Sequence, residues 1–231
     1  MAYWERPSRI GGAVLWQRSV GSSPESARIL PDGCLDLLWD GGRLIVAGPD
    51  STARRNDSPG GTTYVGLRFS GGTGPALLGI GADEVVDQSP ALDEVWTSRE
   101  TRALTDKVAT NSAAALEGWA VERAAGCDLN PFGPTVLRMA GDGVPVAVMA
   151  HRLGMSTRQL HRRCLPIFGY GPRRLSRVLR FRRALDDALG GAPLAQAAFE
   201  AGYVDQSHLN REVRALAGTT PTVLLGELRA G

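Results

Sequence analysis

Residues 1–130 contain no histidine. A metal-dependent β-barrel enzyme needs several histidines converging with a carboxylate, and a Cys–His or Ser–His pair needs at least one. Both chemistries are excluded from that half, and no catalytic residue, metal ligand or cofactor is expected. Cysteine is scarce as well. Cys34, Cys127 and Cys164 are odd in number and far apart, with no CxxC pair. Neither a disulfide framework nor a zinc knuckle is indicated, and free thiols in a reducing cytoplasm are expected. No apolar run approaches the roughly 20 residues of a membrane span. The start, MAYWERPSRI, has no basic segment before an apolar one, so no signal peptide is read there. Acid has a long gap of its own: no Asp or Glu stands between Asp142 and Asp186, while ten arginines do.

That gap belongs to a wider asymmetry. Residues 1–130 hold 12 Lys+Arg against 17 Asp+Glu, whereas residues 131–231 hold 14 against 7. A solvated face normally mixes both signs; a long one-signed stretch on helices points to a polyanion, most simply DNA phosphate. At 231 residues with 43% hydrophobic content, one large or two modest domains with a packed core are expected.

The basic half contains a pattern written twice. Pro145, Ala150 and Gly154 fall 48 residues before Pro193, Ala198 and Gly202, and Leu160, Arg162, Gly169 and Pro172 fall 49 before Leu209, Arg211, Gly218 and Pro221. One residue inserted in the turn between two short helices explains the change. A repeated helix, glycine turn, helix is what a tandem helix-turn-helix reader needs. The spacing predicts helices over 135–140, 146–153, a capped helix from Ser156 that Pro166 stops or kinks, a long helix over 173–189 ended by Gly190-Gly191, and a second reader over 194–201 and 205–216. The long helix carries an apolar stripe of Leu175, Val178, Leu179, Leu185, Ala188 and Leu189.

The acidic half reads differently. Ala13–Trp16, Cys34–Trp39, Arg43–Ala47 and Tyr64–Phe69 are strand candidates, separated by turn-rich segments at 21–26, 48–63 and 70–75. Short strands with turn clusters suggest a small barrel or sandwich. Helices follow over 92–96, 98–110 and 113–125, the second with Ser98 as N-cap. Residues 126–131 resemble a linker. The whole is α+β: a β-rich unit of residues 1–127, with its helical appendage at 98–125, and an all-α unit of residues 131–225.

The polar outward face of the first reading helix holds Arg158, His161 and Arg162; the second offers Ser207, His208 and Arg211. Arginine suits guanine, where its fork meets O6 and N7 together. Ser156, Arg163, Arg173, Arg174, Arg177 and Gln206 are expected at phosphates. The two reading helices can enter successive major grooves only about 34 Å apart. In the acidic half, Trp16, Trp39, Tyr64 and Phe69 are candidates to line an apolar pocket, with Arg68 offering charge to an anionic ligand. Cys34 reads as a core cysteine and Asp32-Gly33 as a turn.

The string GYVDQSHLNR, with Ala150, Gly154, Ser156, Arg158, Leu160, Arg162, Gly169 and Pro172 before it, resembles the AraC/XylS family of transcriptional regulators over about residues 131–225. The resemblance implies two helix-turn-helix units joined by a linker helix, with double-stranded promoter DNA as partner. It departs at Tyr203, Cys164 and Val213, where that family favours phenylalanine, and at Pro166. PDGCLDLLW (31–39), AGPD (47–50) and VGLRFSGGTGPALLGI (65–80) resemble the β-rich sensor domains placed ahead of such readers, implying a cupin-like fold and a regulatory role. A small-molecule effector, a homodimer through residues 98–125 and an RNA polymerase contact are the further partners to consider, with no membrane. Two rivals stand beside a bacterial regulator: a DNA-repair or DNA-modifying enzyme carrying such a reader, and an interaction protein whose reader no longer binds DNA.

Overall fold

The computed structural model describes residues 2–127 and 129–230; Asp128, inside the expected linker, and Met1 and Gly231 lie outside the described residues. Seven strands come first: β1 (Ala2–Pro7), β2 (Ala13–Ser19), β3 (Glu25–Ile29), β4 (Leu35–Trp39), β5 (Leu44–Ala47), β6 (Arg54–Ser58) and β7 (Thr63–Phe69). They form a five-stranded antiparallel sheet in the order β1-β2-β7-β4-β5 and a two-stranded sheet, β3-β6. Three strands escape the sequence pattern. β1 is exposed along its whole length. β3 and β6 are polar and short, and β6 lies inside the segment read as loop over 48–63. None carries the buried alternation that identifies a strand.

The large sheet has two unlike faces, because side chains alternate with a period of two. Leu35, Leu37 and Trp39 of β4, Val65, Leu67 and Phe69 of β7, and Ala13 and Leu15 of β2 point to one face and are buried. Helices cover that face: α1 (Thr73–Leu78), α2 (Leu92–Val95), α3 (Ser98–Thr110) and α4 (Ser112–Ala125) contribute Leu77, Leu92, Leu104, Val108, Leu116 and Ala120 to the same core. Each such Leu or Phe contributes about 1.5–3 kcal/mol on burial. The N-cap of α3 is Thr97, not Ser98: its hydroxyl accepts from the Glu100 amide and donates to the Glu100 side chain. The Glu that a capping box prefers sits three residues after Thr97, so the correct frame is one residue earlier. Glu117 of α4 braces the β1–β2 hairpin, accepting from Arg6 and Ser8 and from the Arg9 amide. Those hydrogen bonds, Arg6 first, hold its carboxyl down at about 2.

The helical half contains α5 (Phe132–Gly141), α6 (Val146–Arg152), α7 (Thr157–Phe168), α8 (Pro172–Leu189), α9 (Leu194–Glu200), α10 (Gln206–Ala217) and α11 (Pro221–Ala230). Two cores form, one around Val136, Met149, Leu160, Cys164, Phe168, Leu175 and Val178, the other around Phe181, Ala184, Leu185, Ala198, Leu209, Val213 and Leu224. α8 serves both: its N-terminal half packs into the first and its C-terminal half into the second. Phe181 and Ala184 belong to its buried stripe, while Leu179 and Leu189 are only partly buried.

α7 runs through Pro166 rather than stopping there. The residue sits on the exposed side of the last turn, and Phe168, 1% exposed, anchors that turn in the core. Gly169 and Gly218 then end α7 and α10 with the same left-handed cap. Cys164 and Val213 are both fully buried, so the smaller side chains at those repeat positions still fill core.

The β-rich and helical halves share surfaces. Leu30, just after β3, is buried in the core of the second helical unit. The Ala53 amide donates to the Leu216 carbonyl at 2.6 Å, and Arg28 reaches the Ala217 carbonyl at 2.7 Å and pairs with Glu227 at 2.8 Å.

Candidate nucleic-acid interface and cavity

The first reading helix, α7, begins with a reciprocal capping box: Ser156 Oγ accepts from the Gln159 amide, and Gln159 Oε1 accepts from the Ser156 amide. Ser156 and Gln159 are thus engaged with their own backbone. Beyond them the helix is amphipathic. Leu160, Cys164 and Phe168 are buried, while Arg158, His161, Arg162 and Arg163 are exposed. Arg158 and His161 line a groove of about 660 Å³ with Arg173 and Arg174 of α8. The His161 ring packs so closely on the Gly171 backbone that a Cβ there would stand 2.1 Å from Nδ1. Arg163 is placed differently, its guanidinium 4.1 Å above the Phe132 ring.

The second reading helix, α10, starts at Asp205, whose carboxylate accepts from the His208 amide at 2.6 Å. Gln206, Ser207, Arg211 and Arg214 are exposed. His208 is half-buried, its ring edge-on to Tyr203 at 5.1 Å. Arg177 does not stand free as a phosphate ligand would. Its Nε donates to Glu212 Oε1 at 2.6 Å, joining α8 to α10 around a buried carboxylate. Arg180 of the same helix lies 4.5 Å over the Tyr203 ring. Among the described residues, Arg158, Arg162, Arg173, Arg174 and Arg211 form no ion pair.

The other notable space is a cavity of about 550 Å³ between the second face of the large sheet and the two-stranded β3-β6 sheet. Sheet register builds it. Trp16 pairs with Gly66 and Glu5, and Gly66 with Leu38, so these four stand in one cross-strand row. Asp36 faces Arg68 in the next row. Trp16 lies across β7 because residue 66 is glycine; a Cβ there would come within 2.5 Å of the indole. Its Nε1 donates to Asp36 Oδ1 at 2.7 Å.

Trp16, Tyr64 and Arg68 line this cavity, as the sequence suggests, but Trp39 and Phe69 do not. Those two have the opposite strand parity and are buried under the helices at 8% and 2% exposure. Arg68 is also not an unpaired positive charge. It stands 3.6 Å from Asp36, 3.7 Å from Asp32 and 3.8 Å from Glu5. Asp32 and Asp36 are site residues the sequence reading passed over. The signal was present in parity: Asp36 and Leu38 alternate against the apolar Leu35, Leu37 and Trp39. Asp32 does form the expected turn, accepting from the Cys34 amide at 2.9 Å. Burial first, and then the Asp32 and Asp36 carboxylates, push the Cys34 thiol up. A thiol so placed is inert. Asp36 is raised to about 6 by burial, against the pull of Arg68.

Between the cavity residues Asp32 and Cys34, the chain meets the helical half. Gly33 lies beside Leu175 and the Tyr170 hydroxyl, which is buried without a hydrogen-bond partner. Burial, then Asp32 and Cys34, raise the Tyr170 pKa, so the phenol stays protonated.

Two helix-turn-helix units thus share one long helix, α8. Residues 149–226 match the family described as a helix-turn-helix domain, and residues 13–91 match a domain of unknown function, DUF6597. No protein of curated function matches the chain. Among solved structures, ToxT from Vibrio cholerae O395 is similar at 12% identity, with 94% of this chain and 98% of that one covered and a TM-score of 0.49. Wild-type ToxT from Vibrio cholerae strain SCE256 bound to an unsaturated fatty acid is similar at 11% identity, covering 95% and 96%, with a TM-score of 0.48. ToxT from Vibrio cholerae O395 bound to (E)-4-(8-methylnaphthalen-1-yl)but-3-enoic acid is similar at 13% identity, covering 99% and 100%, with a TM-score of 0.48.

Proposed function

We propose that this chain is a sequence-specific, DNA-binding transcriptional regulator, not an enzyme, with an effector-binding unit of residues 1–127 and a reader of residues 131–225. The observation that carries the reading is the exposed, unpaired basic face of α7 and α10. Arg158, His161 and Arg162 are the base readers of the first unit, and Ser207 and Arg211 those of the second. His208, held edge-on to Tyr203, has one free edge for a base. Arg173 and Arg174 flank Arg158 in one groove and take phosphates. Arg177 is removed from that set by its bond to Glu212.

Control by a small molecule is supported by the cavity and by the segment of residues 30–34. Residues 30–34 touch both the cavity and the helical cores, so an occupant pressing on Asp32 bears on Tyr170 and Leu175. A coupling of this kind requires that the ligand prefer one arrangement of the interface.

Selection of bound sequences from random duplexes tests the reading. An enriched, asymmetric motif with two parts is expected. No enriched motif at low salt, with Arg158 and Arg211 intact, would overturn it.

A further inference from the structure

The walls of the cavity specify the sign of what fits inside. Four arginines line it, and each is engaged. Arg18 pairs with Glu25 at 3.0 Å, Arg43 with Asp40 at 3.4 Å, and Arg54 with Asp50 at 3.0 Å. Arg68 alone serves Glu5, Asp32 and Asp36. Asp32 and Asp36 line the cavity and Glu5 does not, so one guanidinium between two cavity carboxylates leaves one negative charge in excess at that end.

The distances point the same way. All three contacts of Arg68 exceed 3.5 Å, longer than a hydrogen bond. Its Nε is buried with no hydrogen-bond partner. Arg68 therefore sits between the carboxylates as a shared charge without saturating any of them. An anion would add a further like charge at the crowded end, whereas a cation would complete it.

A metal ion is the wrong kind of cation. Among the described residues no group of three or more His, Cys, Asp or Glu side chains could hold one. Beside the polar Asn56, Asp57 and Ser89, aromatic and aliphatic walls come from Trp16, Tyr64, Leu30, Leu38 and Ile45. Carboxylates beside aromatic faces recognise ammonium groups by charge and by cation–π attraction. The volume falls in the range of small-molecule sites.

We infer that the cavity binds an organic cation, an ammonium or amidinium group on a compact apolar body, with Asp36 and Asp32 as counter-ions and Trp16 as the wall its body lies against. This rests on the reading of the cavity as the effector site and adds the ligand's charge class.

A matched pair of probes tests it on the full chain: 1-naphthylmethylammonium and 1-naphthylacetate, measured by titration calorimetry and thermal unfolding at pH 7.5. The ammonium should bind at least tenfold more tightly. Asp36→Asn keeps an oxygen for the Trp16 indole, and Asp32→Asn leaves Asp36 in place. Each should weaken the ammonium about tenfold while circular dichroism is unchanged. If the carboxylate binds more tightly, or if both probes bind alike and ignore the two Asn variants, the charge assignment is wrong and the effector site stands. If neither probe gives heat or a shift in unfolding temperature up to millimolar concentration, the effector site falls as well.

Discussion

Replacing Arg177 with methionine separates two accounts of the long helix. Met keeps most of the apolar stem and removes the charge. In the structure Arg177 holds Glu212, whose side chain is 11% exposed, whereas the arginine side chain is 36% exposed. Removing one partner of a fully buried pair costs about 3–5 kcal/mol, because the other charge is left uncompensated. Water can follow the half-open arginine toward the carboxylate, so about 2 kcal/mol is the better figure. For a chain of this size that is a fall of about 4–8 °C in unfolding temperature. The double variant Arg177→Met/Glu212→Gln should recover more than half of the fall, because no buried charge remains. Both melts are read by circular dichroism, and DNA affinity is measured across a salt series. If Arg177 instead gripped a phosphate, the melt would stay within about 1 °C of wild type, and the slope of log K against log salt would shrink by about 0.9. That pair of results would refute the structural role.

Three further outcomes follow from the same geometry. Arg158→Ala should weaken specific DNA binding by about 1–3 kcal/mol, more than Ser207→Ala does in the same electrophoretic assay; the reverse order would count against an anchoring first unit. Gly66→Ala places a methyl 2.5 Å from the Trp16 indole, so about 1–3 kcal/mol of overpacking and a changed tryptophan emission are expected in denaturant melts, and an unperturbed protein would show that Trp16 moves freely. Asp36→Asn should stabilise the protein at pH 7.5. The folded carboxyl titrates at about 6, above its unfolded value, with Arg68, Asp32 and the Trp16 indole facing it. Wild-type stability therefore falls as pH rises from about 4 to 6, and the variant's advantage, at most about 3 kcal/mol, should vanish near pH 4 in melts across a pH series.

The helical half was legible because its signals are local and repeated. Gly154 and Gly202 end the first helix of each unit, Ser156 and Asp205 cap the second, and each buried stripe follows a helical period. Pro166 misleads as a stop because its effect depends on which side of the turn it occupies, and the burial of Phe168 is not visible from the proline. The β-rich half was legible only where a strand has a buried face. β4 and β7 show alternation and β5 is an apolar run, whereas the exposed or polar edge strands β1, β3 and β6 are held by pairing that no single segment displays. The cavity was partly legible for the same reason. Parity places Trp39 and Phe69 in the core, but the meeting of Asp36 with Arg68 follows from register, which is set by partners distant in sequence. The ion pair between Arg177 and Glu212 spans two helices, and residue types alone make such an arginine look free for phosphate.

Leu30 makes the reader something other than a detachable cassette. It lies in the acidic half by sequence yet fills the core around Phe181, Ala198 and Leu216. A fragment starting near residue 131 would leave that place empty, with the Leu216 and Ala217 carbonyls losing the partners that Ala53 and Arg28 supply. Grafting a foreign sensor onto this reader would therefore require a substitute for Leu30 and for those two donors, which limits how freely the two halves can be recombined.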